Sequence, residues 1–213
     1  MRTGVSYVTS DKTSIHDIDC IRTWPGKGCP VEGNWKTPSI IAYKSENEFS
    51  KRDHWGYEVQ SNMASCSWMK LLLDTSAETA EFDDPELKDA TGLTTGIFRL
   101  PKNMTAEQVC QDYLSNVYRY IVKNLKMRMG EEVFASTPME CYVTTPAIWT
   151  DKAQTATRNA AMRAGFGSRP GDVIRMITEP EAAAIAALKS DLKPGSINMA
   201  KVRDKRQLKT VTY

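Results

Sequence analysis

Apolar positions change their period along the chain. Over residues 4–43 they come in short runs, GVSYV, IDCIRTW and PSIIAY, separated by Asp/Ser/Thr-rich or Gly/Pro-rich segments. Runs of that length between turn-forming residues predict β-strands, with Trp24-Pro25-Gly26 as a stop. Between Lys44 and Leu100 the period is poor, and SNMASCSWMKLLLD is the best candidate for a short helix. Beyond Leu100 the pattern turns helical. Thr105 and Gln108 are spaced as a capping box, and Val109, Tyr113, Val117, Tyr120, Ile121 and Leu125 then recur on one face. The spacing predicts a helix from about Thr105 to Met129, ended by Gly130. Asn103-Met104-Thr105 also matches a glycosylation sequon, but capping accounts for the threonine better.

After that helix two apolar runs, CYVTT and VIRMI, each lead into a helical segment. Thr150-Asp151 opens the first, which runs through KAQTATRNAAMRA to Gly165, and Pro180 suits the first turn of the second. Strand, helix, strand, helix at this spacing predicts two parallel strands with a right-handed crossover. The second helix begins EPEAAAIAAL. Side chains so small let a helix backbone lie close to a neighbouring sheet or helix, and Thr178-Glu179 end their strand where an open α/β sheet presents its functional edge.

Composition adds bounds rather than a function. Hydrophobic residues at 41% and charged residues at 25% are ordinary globular usage, and 213 residues suffice for one domain or two small ones. The net charge of +2 is unevenly placed: from Lys189 onward seven Lys/Arg face two Asp. The stretch KVRDKRQLK has no aromatic or motif support for nucleic-acid binding, so it predicts a solvated or frayed end. Five cysteines, none spaced CxxC, with only His16 and His54 beside them, give no zinc pattern and read as reduced thiols. No apolar run approaches the length of a signal peptide or a membrane span, which points to a cytoplasmic protein without membrane contact.

Among chemical motifs, GFGSRPG at residues 165–171 follows a helix and opens a strand, the reverse of a dinucleotide fingerprint, and reads as a helix stop and turn. No GxxxxGK[ST], GxSxG or HExxH occurs. His16 and His54 lie in no recognisable motif and read as surface or packing residues. Glu179 is different. A carboxylate at a strand's C-terminal end, held by a following proline, can order a magnesium hydration shell or orient a water. The alternative is a first-turn acid that merely favours the helix dipole, and local sequence alone favours that alternative.

The run YVTTPAIWTDKAQTATRNAAMRAGF followed by VIRMITEPEAAAIAAL resembles the heat-shock protein 70 family. The ATPase domain of that family has a strand ending Val-Pro-Ala, a helix rich in Gln, Ala and Thr, and a strand leading to Asn-Glu-Pro-Thr-Ala-Ala-Ala-Ile-Ala. GVSYV is similar to the strand after the family's first phosphate hairpin, TPSIIAY to its Thr-Pro-Ser-Val-Val-Ala-Phe strand, and the helix from Thr105 to the one before Val-Pro-Ala. WPG and WGYE resemble the divergent actin-like ATPase relatives found in fungi.

The resemblance covers residues 4–190 and implies an α/β fold. It would be a partial actin-like ATPase lobe of ribonuclease H-like type, a mixed sheet with flanking helices, carrying a smaller inserted α+β subdomain. On that reading residues 1–43 and 101–190 form the lobe, 44–100 the insertion and 191–213 a basic C-terminal tail. It also implies an ATP- and magnesium-dependent chaperone-type phosphohydrolase. Glu179 matches the glutamate near the magnesium-bound waters, and Pro146 the proline that relays nucleotide state. Client or co-chaperone proteins are the implied partners, and no side chain is assigned as a direct metal ligand.

The departures from the family pattern carry expectations of their own. An Asp-Leu-Gly-Thr-Thr hairpin should precede GVSYV, where MRT stands, and an Asp-x-Gly-Gly-Gly-Thr hairpin should follow the Ala-rich helix, where KPGSINMAKVRDKRQLKTVTY stands. Aligned on the family's Gly-Asp-Ala-Ala-Lys, WGYEVQ puts Gln60 at the catalytic lysine, and Gln154 falls at a switch-coupled arginine. Backbone amides of glycine-rich turns supply much of the anion binding in such sites. Two readings therefore stand: a portion of an ATPase, or a catalytically inert truncated lobe acting at most as an interaction module.

Overall fold

The computed structural model describes residues 1–12, 14–26, 28–74, 100–191 and 208–212. The expected insertion at 75–99 and most of the basic segment, 192–207 and 213, lie outside the described residues. A mixed sheet is built from β1 (Arg2–Thr9), β2 (Asp19–Cys20), β3 (Lys36–Pro38), β7 (Met139–Thr145), β8 (Val173–Thr178) and β9 (Leu208–Thr212). Its order is β2-β1-β9-β7-β8, with β3 also on β1. A second, three-stranded antiparallel sheet has β4 (Ile40–Ala42) between β5 (His54–Trp55) and β6 (Cys66–Ser67).

The central pair is the predicted one. β7 and β8 run parallel, in register from Glu140 against Val173 to Thr145 against Thr178. β7 is buried along nearly its whole length, as a strand covered on both faces must be. Helices α1 (Ala106–Met129), α2 (Glu131–Ser136), α3 (Asp151–Arg163) and α4 (Glu179–Asp191) complete the described regular structure.

α1 starts as its sequence dictates. The Thr105 hydroxyl accepts the Gln108 backbone N–H at 3.2 Å while the Gln108 side-chain Oε1 accepts the Thr105 backbone N–H at 2.8 Å. Val109, Tyr113, Val117, Ile121 and Leu125 are buried along its inner face. Tyr113 and Tyr120 carry that face to an aromatic cluster with Trp24 and Trp55, where Trp24 stacks on Tyr120 with centroids 5.6 Å apart. α3 is capped by Thr150, whose hydroxyl accepts the Ala153 N–H, and it buries Ala153, Thr157, Ala160 and Ala161.

Four expectations need correction. IDCIRTW forms only the two-residue β2, and PSIIAY is divided between β3 and β4. SNMASCSWMKLLLD forms β6 and a single 3₁₀ turn at Leu71–Leu73 rather than a helix, because Trp68 takes a left-handed backbone that no helix admits. The basic end is not simply frayed: residues 208–212 are a strand inside the sheet. Lastly, the described side chains of the Ala-rich helix pack little. Of Glu181–Ala186 only Ala182 is buried, which leaves Ala183 to Ala186 and the Ile185 side chain at the surface.

The GFGSRPG turn behaves as a helix stop. Gly165 has φ of +113°, and a Cβ there would sit 2.7 Å from the Tyr118 ring. Arg169 then locks the turn: it donates to the Phe134 and Thr137 carbonyls at 2.7 and 2.6 Å and pairs with Asp172, whose carboxylate also accepts the Met139 N–H.

Candidate functional site

Because β7 and β8 end opposite each other at Thr145 and Thr178, the next residues of each, Pro146 and Glu179, leave the sheet at the same edge. That edge is the C-terminal edge of a parallel pair, where α/β sheets present their chemistry. Glu179 is the first residue of α4, with a half-exposed side chain. Thr178 caps the helix, its hydroxyl accepting the Glu181 N–H at 3.3 Å.

The side chain that meets Glu179 comes from far away in sequence. Lys70 donates from Nζ to Glu179 Oε1 at 2.7 Å and is itself mostly buried. It leaves the second sheet through Trp68, whose φ of 59° costs a bulky L-residue about 1–3 kcal/mol and turns the chain sharply after β6. The Trp68 carbonyl accepts the Leu71 N–H at 2.8 Å, closing the turn over Lys70.

On its other flank Lys70 lies 5.4 Å from the ring centroid of Trp149, within cation–π reach. Trp149 is buried, and its N–H bonds the Pro146 carbonyl while its own carbonyl accepts from Gln154 Nε2 at 3.2 Å. Pro146, Gln154 and Glu179, all singled out in the sequence, are thus joined through Trp149 and Lys70. Beside them Thr145 is fully buried, and its hydroxyl has no hydrogen-bond partner among the described residues. Gln60 belongs to a separate turn, with its carbonyl accepting the Met63 N–H, so the cation on Glu179 is supplied by residue 70. Lys70 was hidden in the sequence. Its only mark was a lone cation interrupting the apolar run WMKLLL.

The histidines hold no comparable site. His16 is exposed. His54 Nε2 lies 2.7 Å from Ser50 Oγ, but that hydroxyl donates to the Arg52 carbonyl and the serine is buried, which leaves no free nucleophile. A cavity of about 590 Å³ lies elsewhere, over α1 between Trp55, Asp112 and Lys123. Among its charged groups Arg52 pairs with Glu58 at 2.7 Å, Asp112 accepts from the Tyr43 hydroxyl and Arg119 donates to Asn116.

At the β7–β8 edge the residues fit one wall of a hydrated magnesium–phosphate site. Among the described residues no group of three or more His, Cys, Asp or Glu is placed to hold a metal ion. A phosphate cradle needs convergent backbone N–H groups, and the prolines at 146 and 180 remove two from this edge.

A family model described as Hsp70 protein matches residues 30–192, most of the chain. The protein belongs to the Hsp70 family. It is 28% identical to "Heat shock 70 kDa protein 12A" of Homo sapiens over 194 residues, which cover 86% of this chain and 26% of that relative. "Chaperone protein DnaK" of Deinococcus deserti is 25% identical over 73% of this chain and 23% of its own length. The protein of the same name from Metamycoplasma hominis is 28% identical over 72% of this chain and 20% of its own length. This Hsp70-family chain thus spans about a quarter of the curated relatives it matches. Membership implies the actin-like ATPase fold and agrees with the mixed α/β architecture. Among the described residues no helix is long and apolar enough to cross a membrane.

Proposed function

We propose that the chain carries one wall of the nucleotide site of an Hsp70-type, magnesium-dependent ATP phosphohydrolase, with Glu179 as the water-ordering carboxylate. Lys70 would hold that carboxylate in place and present its positive charge to a phosphate, and Pro146 would transmit nucleotide state into α3 through Trp149 and Gln154. The observation that carries this reading is the Lys70–Glu179 pair at the rim of the parallel β7–β8 edge. Magnesium, when bound, supplies the charge that neutralises the phosphates. The chain's own groups order water, orient the carboxylate and shield one side with Trp149. Phosphate-gripping turns would come from polypeptide matching the remaining three quarters of the relatives' length. Clients and co-chaperones would act on that larger assembly, within the cytoplasm.

A second reading has its own observation. Ile148 is 91% exposed beside the site, and Ala183, Ala184, Ile185 and Ala186 are exposed on α4 just after Glu179, an apolar display that suits an inert interaction module. Titration of the purified chain with Mg-ATP, followed by calorimetry and Trp149 fluorescence, separates the two. The ATPase reading expects weak, millimolar-range binding that is lost in Lys70→Ala and Glu179→Ala and silent in Trp149→Phe. Absence of any response at saturating Mg-ATP, or a response indifferent to Lys70 and Glu179, leaves the interaction module.

A further inference from the structure

A pocket of about 360 Å³ opens between the last turn of α1 and the strands β1 and β2, with Tyr7, Asp19, Arg22, Asn124 and Arg128 on its wall. It lies away from the edge that carries Glu179. Tyr7 pairs with Thr210, which pairs in turn with Cys141, so Tyr7 stands two strands across from β7 and level with a residue four positions before Thr145. Asp19 faces Tyr7 across β1 and β2. Arg128 reaches both, donating from Nη1 to Asp19 Oδ2 at 3.1 Å with its guanidinium 5.3 Å from the Tyr7 ring centroid. The fold accounts for part of this wall: Arg128 and Asp19 make a solvent-facing pair, and Asn124 Nδ2 donates to the Tyr120 carbonyl at 2.8 Å. Two groups are left over. Tyr7 is only 7% exposed, and its hydroxyl has no hydrogen-bond partner among the described residues. Arg22 stacks its guanidinium 3.9 Å from the Trp35 ring centroid, an arrangement that leaves the N–H groups of its edge available, and among the described residues no acceptor meets them. A buried polar group without a partner calls for an explanation, and a ligand supplies one.

We propose that this pocket binds a small phosphate ester, its oxyanion held by Arg22, Arg128 and the Tyr7 hydroxyl. Guanidinium forks match phosphate oxygens in geometry and give charge-assisted hydrogen bonds. Burial raises the Tyr7 phenol and outweighs the Arg128 charge beside it, so at neutral pH the hydroxyl keeps its proton and donates it. Asp19 occupies one N–H of Arg128 and fixes that side chain, leaving the rest of its fork for the ligand. Two cations against this one acid give the wall a net charge of +1, which suits an anion. The volume is larger than a phosphate group needs and falls in the range of small-molecule sites, so it has room for an organic part. Asn124 Oδ1 is the acceptor for a hydroxyl on that part. No metal enters these contacts, and the inference stands whether or not the β7–β8 edge binds nucleotide.

The test is titration of the purified chain with ribose 5-phosphate, inorganic phosphate and ribose, in EDTA, read by calorimetry and thermal shift. Ribose 5-phosphate should bind saturably, inorganic phosphate more weakly and ribose not at all. Arg22→Gln and Arg128→Gln should each weaken ribose 5-phosphate about 10-fold or more, as loss of a charge-assisted hydrogen bond does. Tyr7→Phe distinguishes a ligand group from a structural one. Removing an unpaired buried hydroxyl should leave the melting temperature of the free chain unchanged or higher, while the rise induced by ribose 5-phosphate shrinks. Lys70→Ala and Glu179→Ala should keep the full response, which separates this pocket from the edge that carries them. Absence of binding by ribose 5-phosphate, or ribose binding as well as its phosphate, would overturn the proposal. So would a response that survives both arginine substitutions or disappears with Lys70. A lower melting temperature in Tyr7→Phe with an unchanged response would show the hydroxyl to be held within the fold and remove it from the site.

Discussion

At the scale of single residues the structure separates side chains that act from side chains that hold. Glu179 is half exposed and, among the described residues, is held by Lys70, so Glu179→Ala should change stability by no more than about 1 kcal/mol, the ordinary worth of a solvent-facing ion pair. Circular dichroism and chemical denaturation check this, and collapse of the signal would make the residue structural. Asp172 is the opposite case. Its carboxylate is fully buried, takes two bonds from Arg169 and one from the Met139 amide, and fixes the start of β7. Arg169→Ala leaves that charge without its partner and the Phe134 and Thr137 carbonyls without their donor. It should cost about 3–5 kcal/mol in the same denaturation measurement, as breaking a buried pair does. Gly165→Ala combines a φ of +113° with a Cβ 2.7 Å from the Tyr118 ring, and should lower stability by about 1–3 kcal/mol.

At the scale of elements the legible parts are those whose causes are local. The capping box of α1, the Thr150 cap of α3 and the β7–β8 pair follow from neighbours in sequence, and all three form as read. Thr105→Ala should therefore destabilise by about 1 kcal/mol, with the loss confined in hydrogen exchange to the first turn of α1. What escaped the sequence has distant causes. Lys70 reaches Glu179 only because the turn at Trp68 swings it across from the second sheet, 109 positions away, and no period or spacing encodes that. β9 draws its partners from two stretches more than a hundred residues apart, and its basic composition spoke for solvent while its place between two buried strands overruled it. α4 misled in the other direction. Its small side chains permit close packing, but among the described residues little packs against them beyond Ala182.

At the scale of the whole molecule the core is held by protons that it will not readily release. Burial pushes the Cys110 and Cys141 thiols up to about 12, the nearby Lys70 charge opposing the shift at Cys110 only in part, and pushes the Tyr113 phenol up to about 12 as well. Burial and the adjoining Asp112 carboxylate raise Tyr43 further still. Each of these groups is neutral when protonated and binds its proton more tightly folded than unfolded. Their contribution is therefore whole below the unfolded values, about 8.5 for thiols and 10 for phenols, and is lost as pH rises through the folded ones. Within that window each group removes about 1.4 kcal/mol of stability per pH unit. Denaturation midpoints should thus hold steady from pH 7 to 8 and fall steeply between pH 9 and 12. Cys110→Ala should flatten the first part of that fall, although it lowers stability at pH 7 by removing buried volume. An equally steep alkaline limb in that variant would assign the loss to the phenols alone. Thiol chemistry gives an independent reading, because exposed Cys29 should be alkylated at pH 8 while Cys110 and Cys141 react only as fast as the fold opens.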